Sequence, residues 1–217
     1  METKQRILDK AIQTFNEHGY GAVNLFELAK SLDMSRGNMT YHFKDKEALL
    51  KDITDQLWQK LAKVRLEKSI PSFQNLHNDA QLYYKLQKEY SFIFHDNQVL
   101  KHELVASKMK ALCQKMIKDI EVAIAFSIQL GNVKPEPVPG VYKNLSVSTW
   151  MLMFFWPSQQ NIRGRDTGED GEKVIWSLLL PHLTEKGLAS FKKFFGDEYL
   201  SSMGEEFDPT LDSYLTF

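Results

Sequence analysis

A short polar segment, Ser35 to Phe43, constrains the fold of this chain more than any other feature. Before it, Leu25 to Leu32 places apolar residues at helical spacing, and after it a longer helical pattern opens at Asp45 or Lys46. A short polar helix held by small apolar helices is typical of a helix-turn-helix unit, in which the polar helix enters the major groove of DNA. The segment therefore predicts a helical N-terminal unit that presents one helix to an external partner.

Capping residues and apolar periodicity predict the helices of this N-terminal unit. Thr3 is the expected N-cap of the first helix and Gly19 its stop, while Asn24 caps the second helix and Ser35 the third. The fourth helix is expected to extend to about Leu66. The residues expected to face inward are Leu8, Ala11, Ile12, Phe15, Leu25, Leu28, Ala29, Leu32, Met39, Phe43, Leu50, Ile53, Leu57, Leu61 and Val64.

Helical periodicity continues to residue 195, and no segment alternates as a strand would, so the expected fold class is all-α. Breaks are expected at 69–72, 135–140 and 163–171. The expected helices cover about 75–95, 98–130 (as one helix or two), 142–161 and 173–186, with a short helix over 187–195. The helix over 173–186 should bend near Pro181, because proline lacks a backbone donor.

Composition excludes several classes of protein. The single cysteine, Cys113, rules out an intramolecular disulfide framework and fits a small core residue in a reducing compartment, with redox sensing as the alternative. The N-terminus lacks a signal peptide. The longest apolar run, Trp150 to Pro157, is shorter than the roughly 18–20 residues that span a bilayer. We therefore expect a cytoplasmic protein with no membrane segment.

Known catalytic and metal-binding patterns are missing from the sequence. Di-iron carboxylate bundles use Glu-x-x-His pairs, and none of the 6 histidines has an acid three residues before it. His102-Glu103 opens a zincin motif that lacks its second histidine, and a lone cysteine cannot form a thiolate zinc site. We therefore expect no catalysis, no cofactor and no bound metal.

Charge is placed unevenly along the chain. Residues 1–60 carry equal numbers of basic and acidic side chains, whereas DNA-binding domains are often clearly basic. The polar segment and the start of the fourth helix are nevertheless locally basic, and residues 196–217 are acidic. Modest non-specific affinity for DNA is expected from this distribution.

Residues 3–51 resemble the N-terminal domain of the tetracycline-repressor (TetR) family of bacterial one-component regulators. The motifs that carry the resemblance are His18-Gly19-Tyr20, Met34-Ser35-Arg36-Gly37, Tyr41-His42-Phe43 and Lys46-Glu47-Ala48-Leu49-Leu50. Asn24 stands where the family usually has threonine, and Thr40 where it often has an aromatic residue. The resemblance implies a homodimeric repressor of the bacterial cytoplasm, associated with the nucleoid. It also implies a helix-turn-helix domain over 1–50, a helical effector-binding and dimerisation domain over 51–195 and an acidic tail over 196–217.

Residue chemistry indicates how this domain would contact a double-stranded DNA operator. Arg36 can pair with guanine O6 and N7, and Asn38 with adenine N6 and N7, while Gly37 lets the backbone approach the DNA. The resemblance implies phosphate contacts by Tyr41, His42 and Lys46, and Thr40 can touch a thymine methyl or a phosphate. A capping or packing role for His42 remains open. The full expected set is Asn24, Ser35, Arg36, Gly37, Asn38, Thr40, Tyr41, His42 and Lys46.

Beyond residue 66 the resemblance implies only a helical domain that binds a small molecule and dimerises. The helix over 173–186 is apolar on nearly every side, which favours contact with a second copy, although a central helix in a monomer has the same pattern. The expected dimer residues are Val174, Ile175, Leu178 and Leu179. Aromatic residues and methionines favour an adaptable pocket for an apolar or amphipathic ligand, although an ordinary core has the same composition. The candidate pocket residues are Tyr83, Tyr84, Phe92, Leu112, Met116, Trp150 and Phe154.

Two functions therefore remain open. The first is a DNA-binding regulator that responds to a small apolar ligand. The second is an architectural or protein-recruiting DNA-binding module without an effector. A cavity of roughly several hundred Å³ lined by aromatic residues favours the first function, and a well-packed C-terminal core favours the second.

Overall fold

Helices account for the regular structure of the chain. The computed structural model describes residues 2–66, 71–164 and 170–210. Over these ranges the helices are α1 (Glu2–His18), α2 (Leu25–Ser31), α3 (Arg36–His42), α4 (Lys46–Leu66), α5 (Phe73–Glu89), α6 (Ser91–His95), α7 (Asn97–Leu100), α8 (Glu103–Gln129), α9 (Val141–Arg163), α10 (Gly171–Leu179), α11 (Glu185–Phe195) and α12 (Asp197–Ser201). A 3₁₀ turn, Leu180–His182, follows α10, and the all-α prediction is confirmed.

The N-terminal unit packs α1, α2, α3 and the first turns of α4 around one apolar core. Local side-chain chemistry sets its helix ends: Asn24 Oδ1 accepts a hydrogen bond from Glu27 N at 2.9 Å, and Ser35 Oγ accepts one from Asn38 N at 3.2 Å. Both predicted caps are confirmed. The buried residues of this core include Ile7, Leu8, Ala11, Ile12, Phe15, Leu28, Ala29, Met39, Phe43, Leu49, Leu50, Ile53 and Leu57.

Two expected boundaries differ from the structure. Thr3 lies inside α1, which already includes Glu2, so its prediction as an N-cap is wrong. The helix expected over 75–95 is divided at Tyr90, where the backbone leaves the helical region (φ −116°, ψ 41°). Residues 69 and 70 of the break expected over 69–72 lie outside the described residues. The side chain of Val64 also lies outside them.

The helix expected over 173–186 is not one bent helix. It ends at Leu179, and the next regular helix starts after Thr184, whose hydroxyl caps α11. The intervening backbone pairs with another loop instead, since Lys134 N donates to His182 O at 2.9 Å and Thr184 N donates to Asn132 O at 3.0 Å. This pairing is tight, because a Cβ on Gly187 would lie 1.9 Å from the oxygen of Asn132.

The C-terminal helices form a bundle around α9, which packs against α5, α8 and α10. Pro157 lies inside α9 and has no N–H for the carbonyl group of Met153, four residues earlier. The buried amide of Gln87 on α5 donates to that carbonyl oxygen at 2.7 Å. A side chain from a neighbouring helix thus replaces the backbone bond that proline removes.

Apolar and polar contacts join the N-terminal unit to the bundle. The rings of Phe15 and Phe92 lie 5.1 Å apart, and both residues belong to one continuous core. The Asn16 amide donates to Glu89 O at 2.9 Å, and its oxygen accepts from Phe92 N at 3.0 Å. The end of α1 is therefore fixed to the chain where α5 breaks into α6. Among the described helices, none is both long enough and apolar enough to cross a membrane.

Candidate functional site

Helix α3 presents an exposed polar face. Its buried side is held by Met39 and by Phe43 just beyond its end, as the sequence predicted. Arg36 and Asn38 are exposed, and neither side chain has a hydrogen bond or ion pair among the described residues. Their donors and acceptors are therefore available to a partner.

Gly37 occupies an ordinary helical position on this face. Its φ is not in the left-handed region, and a Cβ placed on it would meet nothing within 4 Å. Glycine in a helix interior costs roughly 0.5–1 kcal/mol relative to alanine. No atom of the described residues lies close enough to exclude a larger side chain at this position.

Two rings continue this face at the end of α3. Tyr41 is 85% exposed, and its ring meets that of half-buried His42 edge-to-face at 5.3 Å. Thr40 uses its hydroxyl within the helix, donating to the carbonyl oxygens of Arg36 and Gly37 at 3.0 and 3.1 Å. The exposed phenol of Tyr41 is thus the largest apolar and hydrogen-bonding group on this surface.

Asn24 and Ser35 lie beside this face and are exposed, but each uses its side-chain oxygen to cap a helix. The amide N–H groups of Asn24 and the hydroxyl hydrogen of Ser35 remain available to a partner. Their capping bonds fix where α2 and α3 begin, and these two helices pack against each other, as in a helix-turn-helix.

Lys46, the first residue of α4, turns toward the protein. Its Nζ donates to Tyr20 O at 2.8 Å and Val23 O at 2.9 Å, and it lies 4.3 Å from the centre of the Tyr20 ring. Burial lowers the pKa of Lys46, and the negative charge of Asp96 opposes that change. A phosphate contact, predicted from the resemblance, would have to use the one N–H donor that remains.

Asp96 connects the same loop to the bundle. Its Oδ2 accepts from Tyr20 N at 3.0 Å, while its Oδ1 caps α7 by accepting from Gln98 N at 2.8 Å. Tyr20 is therefore held by the bundle through its N–H and by α4 through its carbonyl group. A movement of α6 and α7 relative to α4 would act directly on the loop that leads into the helix-turn-helix.

The bundle contains a cavity of about 70 Å³ at the end formed by the start of α5, the end of α8 and the start of α9. Its lining residues are Phe73, Leu76, Ala80, Ile120, Ala123, Ile124, Ser127, Val133, Tyr142, Leu145, Thr149, Met153, Glu172, Ile175, Trp176, Leu179, Leu180, His182, Leu183 and Phe191. This volume holds a few water molecules and is below the roughly 300–1,000 Å³ of typical ligand pockets. A larger ligand would have to enlarge it.

None of the seven residues predicted for the pocket lines this cavity, and their role in ligand binding stays a prediction. Tyr83, Phe92, Leu112, Met116 and Phe154 are buried in the main core, and Tyr84 and Trp150 are half-buried against it. Their aromatic and methionine content therefore serves ordinary packing. Three small side chains, Ala80, Ala123 and Ser127, line the cavity together with large rings, and no signal in the sequence brings them together.

One acidic side chain lies at the wall of the cavity. Glu172 is 2% exposed and accepts hydrogen bonds from Gln81 Nε2 at 2.8 Å and Trp176 Nε1 at 2.9 Å. Its Oε1 also lies 2.7 Å from His77 Nδ1. Burial, together with the charges of Asp170 and Glu172, raises the pKa of Tyr84, whose hydroxyl is buried without a hydrogen-bond partner.

The four predicted dimer residues lie in different surroundings. Ile175 is buried in its own protomer and Leu179 is half-buried, and both line the cavity, while a dimer role for the four residues stays a prediction. Val174 and Leu178 are half-buried. A second apolar surface lies on α9, where Val147, Met151 and Phe155 are exposed at four-residue spacing and so share one face.

Cys113 is half-buried beside the main core. Burial raises the pKa of its thiol, and a raised pKa disfavours the reactive thiolate. This environment supports the interpretation of Cys113 as a packing residue.

Comparisons with known proteins cover nearly the whole chain. A model of the bacterial regulatory proteins of the tetR family matches residues 7–53, and a model of a TetR bacterial transcriptional repressor matches residues 54–191. The IcaR negative transcriptional regulator of the biofilm operon icaADBC of Staphylococcus aureus is 26% identical over 98% of each chain. The AcrR transcriptional regulator of Shigella flexneri is 36% identical over 66 residues, which are 30% of this chain and 31% of that protein.

Solved structures share the fold at low sequence identity. A TetR-family regulator from Marinobacter aquaeolei superposes with a TM-score of 0.74 at 19% identity, over 89% of this chain and 99% of that one. SmeT in complex with triclosan superposes with a TM-score of 0.60 at 17% identity, over 85% of this chain and 93% of that one.

Proposed function

The chain belongs to the TetR family of bacterial transcriptional regulators, and from this premise we propose that two copies repress transcription by binding operator DNA through α3 until a small ligand releases them. Such a repressor works in the bacterial cytoplasm at the nucleoid. The observation that carries the proposal is the exposed, unpaired polar face of α3, with a glycine that the protomer does not need.

Sequence readout is assigned to the first turn of α3. The guanidinium of Arg36 has the paired donors that match guanine O6 and N7, and the amide of Asn38 matches adenine N6 and N7. Gly37 lies between them without a side chain, which lets the helix backbone come close to the base edges. The N-terminal half of a recognition helix is the part that contacts bases in helix-turn-helix proteins.

We assign contacts with the phosphates of the DNA backbone to the side chains around this turn. Tyr41 and His42 close the end of α3, and Asn24, Ser35 and Thr40 keep part of their hydrogen-bonding capacity. Such contacts fix the register of the protein on the duplex but carry little sequence information. For Lys46 we propose mainly an internal role, in which it holds the α1–α2 loop against α4.

Self-association is assigned to α9 and α10, which pack against each other. The exposed stripe of Val147, Met151 and Phe155 on α9 supplies an apolar surface that a second copy would bury, and Val174 and Leu178 on α10 are half-buried. Two recognition helices must lie about 34–36 Å apart to enter successive major grooves. A two-fold dimer through these helices would provide the paired arrangement.

Release by a ligand is supported by the position of the cavity. Phe73 opens α5, lines the cavity and packs edge-to-face on Trp176 at 5.7 Å, and α5 follows α4 in the chain. A ligand larger than the cavity would displace these rings and so favour a different pose of α4. It would weaken DNA binding only by its difference in affinity for the two poses. SmeT, which shares this fold, binds triclosan, and this supports ligand-responsive repression over an effector-free architectural module.

The direct readout by Arg36 can be tested with the variant Arg36→Ala. Binding to a selected duplex and to duplexes with single base-pair changes should show a loss of roughly 1–3 kcal/mol that is confined to one preferred base pair. Lys110→Ala, which removes an exposed positive charge from α8, is the matched control and should leave the preference intact. An equal loss by Arg36→Ala on every sequence would assign Arg36 to a phosphate instead.

A further inference from the structure

We propose that the ligand of the inner cavity carries a positively charged nitrogen on an apolar body. The inference rests on the proposed ligand-responsive function and specifies the chemical class of the effector. It follows from what the cavity wall offers: apolar surface, aromatic rings, one carboxylate and one hydroxyl group without a partner.

Glu172 provides the negative charge. Its carboxylate is the one Asp, Glu, Lys or Arg side chain among the residues that line the cavity; the other ionisable groups there are the phenol of Tyr142 and the imidazole of His182. Burying a carboxylate costs several kcal/mol unless donors or a cation compensate it. Two N–H groups orient it, from Gln81 and Trp176, and His77 Nδ1 lies 2.7 Å from its Oε1, where a protonated imidazole forms an ion pair.

No lysine or arginine compensates this charge among the described contacts. Lys173, its neighbour in the chain, donates instead to Ser202 O at 2.7 Å and lies over the ring of Tyr199. Asp170, at the start of the same helix, adds negative charge close by. A cationic ligand would therefore meet an attractive field at this wall, and an anionic ligand a repulsive one.

The rest of the wall suits the body of such a ligand. Phe73, Trp176 and Phe191 pack edge-to-face with centres 5.3 to 5.7 Å apart, and all three line the cavity. Aromatic faces attract cations, most strongly when water is excluded. Thr149 Oγ1 is buried at the wall without a hydrogen-bond partner among the residues that the structure describes, and it can accept an N–H from the ligand.

Three probes of one shape test the charge class: 2-phenylethylammonium, 2-phenylethanol and 3-phenylpropionate. Calorimetric titration of the full-length protein should show that the ammonium compound binds roughly tenfold or more tightly than the alcohol. The carboxylate should bind most weakly. Equal binding of all three, or preference for the carboxylate, would overturn the proposal without any variant.

The variant Glu172→Gln then tests the role of Glu172, because it removes the negative charge and keeps the shape of the side chain. It should lose the preference for the ammonium probe and keep the affinity for the alcohol. Glu185→Gln, an exposed residue of α11, makes the same charge change away from the cavity and should bind as the wild type does. A Glu172→Gln protein that folds and retains the full preference would overturn the assignment.

Measuring release of the protein from operator DNA distinguishes a failure of this proposal from a failure of the proposed function on which it rests. If neutral apolar compounds release the protein from DNA and ammonium compounds do not, the charge class is wrong and ligand-responsive repression stands. If no compound of any charge affects DNA binding, the ligand-responsive function itself fails. Release by the ammonium probe that Glu172→Gln abolishes supports both.

Discussion

Lys46 Nζ lies 2.8 Å from the main-chain oxygen of Tyr20, which ties the first residue of α4 to the loop between α1 and α2. Asp96 of the bundle accepts a hydrogen bond from the N–H of Tyr20 in the same loop. The helix-turn-helix is thus attached both to the helix that leads into the bundle and to the bundle itself. A lysine that the sequence suggests for DNA contact has most of its hydrogen-bonding capacity engaged inside the protein.

Replacing Lys46 by methionine distinguishes these roles. Methionine keeps an apolar stem over the Tyr20 ring but leaves two carbonyl oxygens without their donor, so the free energy of unfolding should fall by about 1–3 kcal/mol. DNA affinity should fall on all sequences, while the slope of log affinity against log salt stays the same. A slope reduced by about one with unchanged stability would show that Lys46 contacts a phosphate. Lys44→Met, at an exposed neighbouring position, is the control for stability.

Gly37→Ala should separate stability from binding. Because nothing lies near the added methyl group, the free energy of unfolding should rise by about 0.5–1 kcal/mol. Operator affinity should fall, since the methyl group would stand between the helix and the base edges. Urea denaturation and fluorescence anisotropy measure the two effects. Gly187→Ala is the contrasting case, because its methyl group would collide with Asn132 O and destabilise the fold. A Gly37→Ala protein with wild-type affinity would rule out close approach at this position.

The pairing of Gln87 with the carbonyl group of Met153 predicts a specific coupling. Gln87→Leu should lower the free energy of unfolding by about 1–3 kcal/mol, because it leaves a buried carbonyl oxygen without a donor. In a Pro157→Ala background the restored N–H can bond to that oxygen, so the same substitution should cost much less. A double-mutant cycle in urea measures the difference. Equal costs in both backgrounds would show that Pro157 is not the reason for the Gln87 contact.

His95 should make stability depend on pH. Burial lowers the pKa of His95, whose Nδ1 lies 2.9 Å from Ser158 Oγ while its Nε2 is buried without a partner. The unfolded chain then binds more protons than the folded one below about pH 6.5, so the free energy of unfolding should fall as the pH drops through that range. His95→Asn should flatten this dependence relative to the wild type. Identical pH profiles of the two proteins would exclude His95 as a source of acid sensitivity.

The sequence predicted best what depends on neighbours along the chain. The caps made by Asn24 and Ser35 reach only three residues ahead, and the inward positions of Met39 and Phe43 follow from helical spacing. Local interactions of this kind can be predicted from the sequence without knowledge of the fold. The outward face of α3, with Arg36, was predictable for the same reason.

Features that depend on distant contacts were not predictable in this way. Lys46 meets Tyr20, and Tyr20 meets Asp96, only after α1, α4 and α7 have packed. After α10 ends at Leu179, the backbone at Thr184 pairs with Asn132, far away in the chain. The cavity likewise lies between side chains of several different helices, whereas the aromatic clusters that suggested a pocket pack in or against the core.

The central claim is that two copies read DNA through paired α3 helices, and selection of bound duplexes from a random-sequence pool at low salt tests it most directly. We predict enrichment of an inverted repeat whose half-sites are centred about 10–10.5 base pairs, or a multiple of that spacing, apart. Two protomers should bind each duplex, and Arg36→Ala should lose preference at one base pair of each half-site. If no sequence is enriched, or if a single protomer binds a single half-site, the account is contradicted.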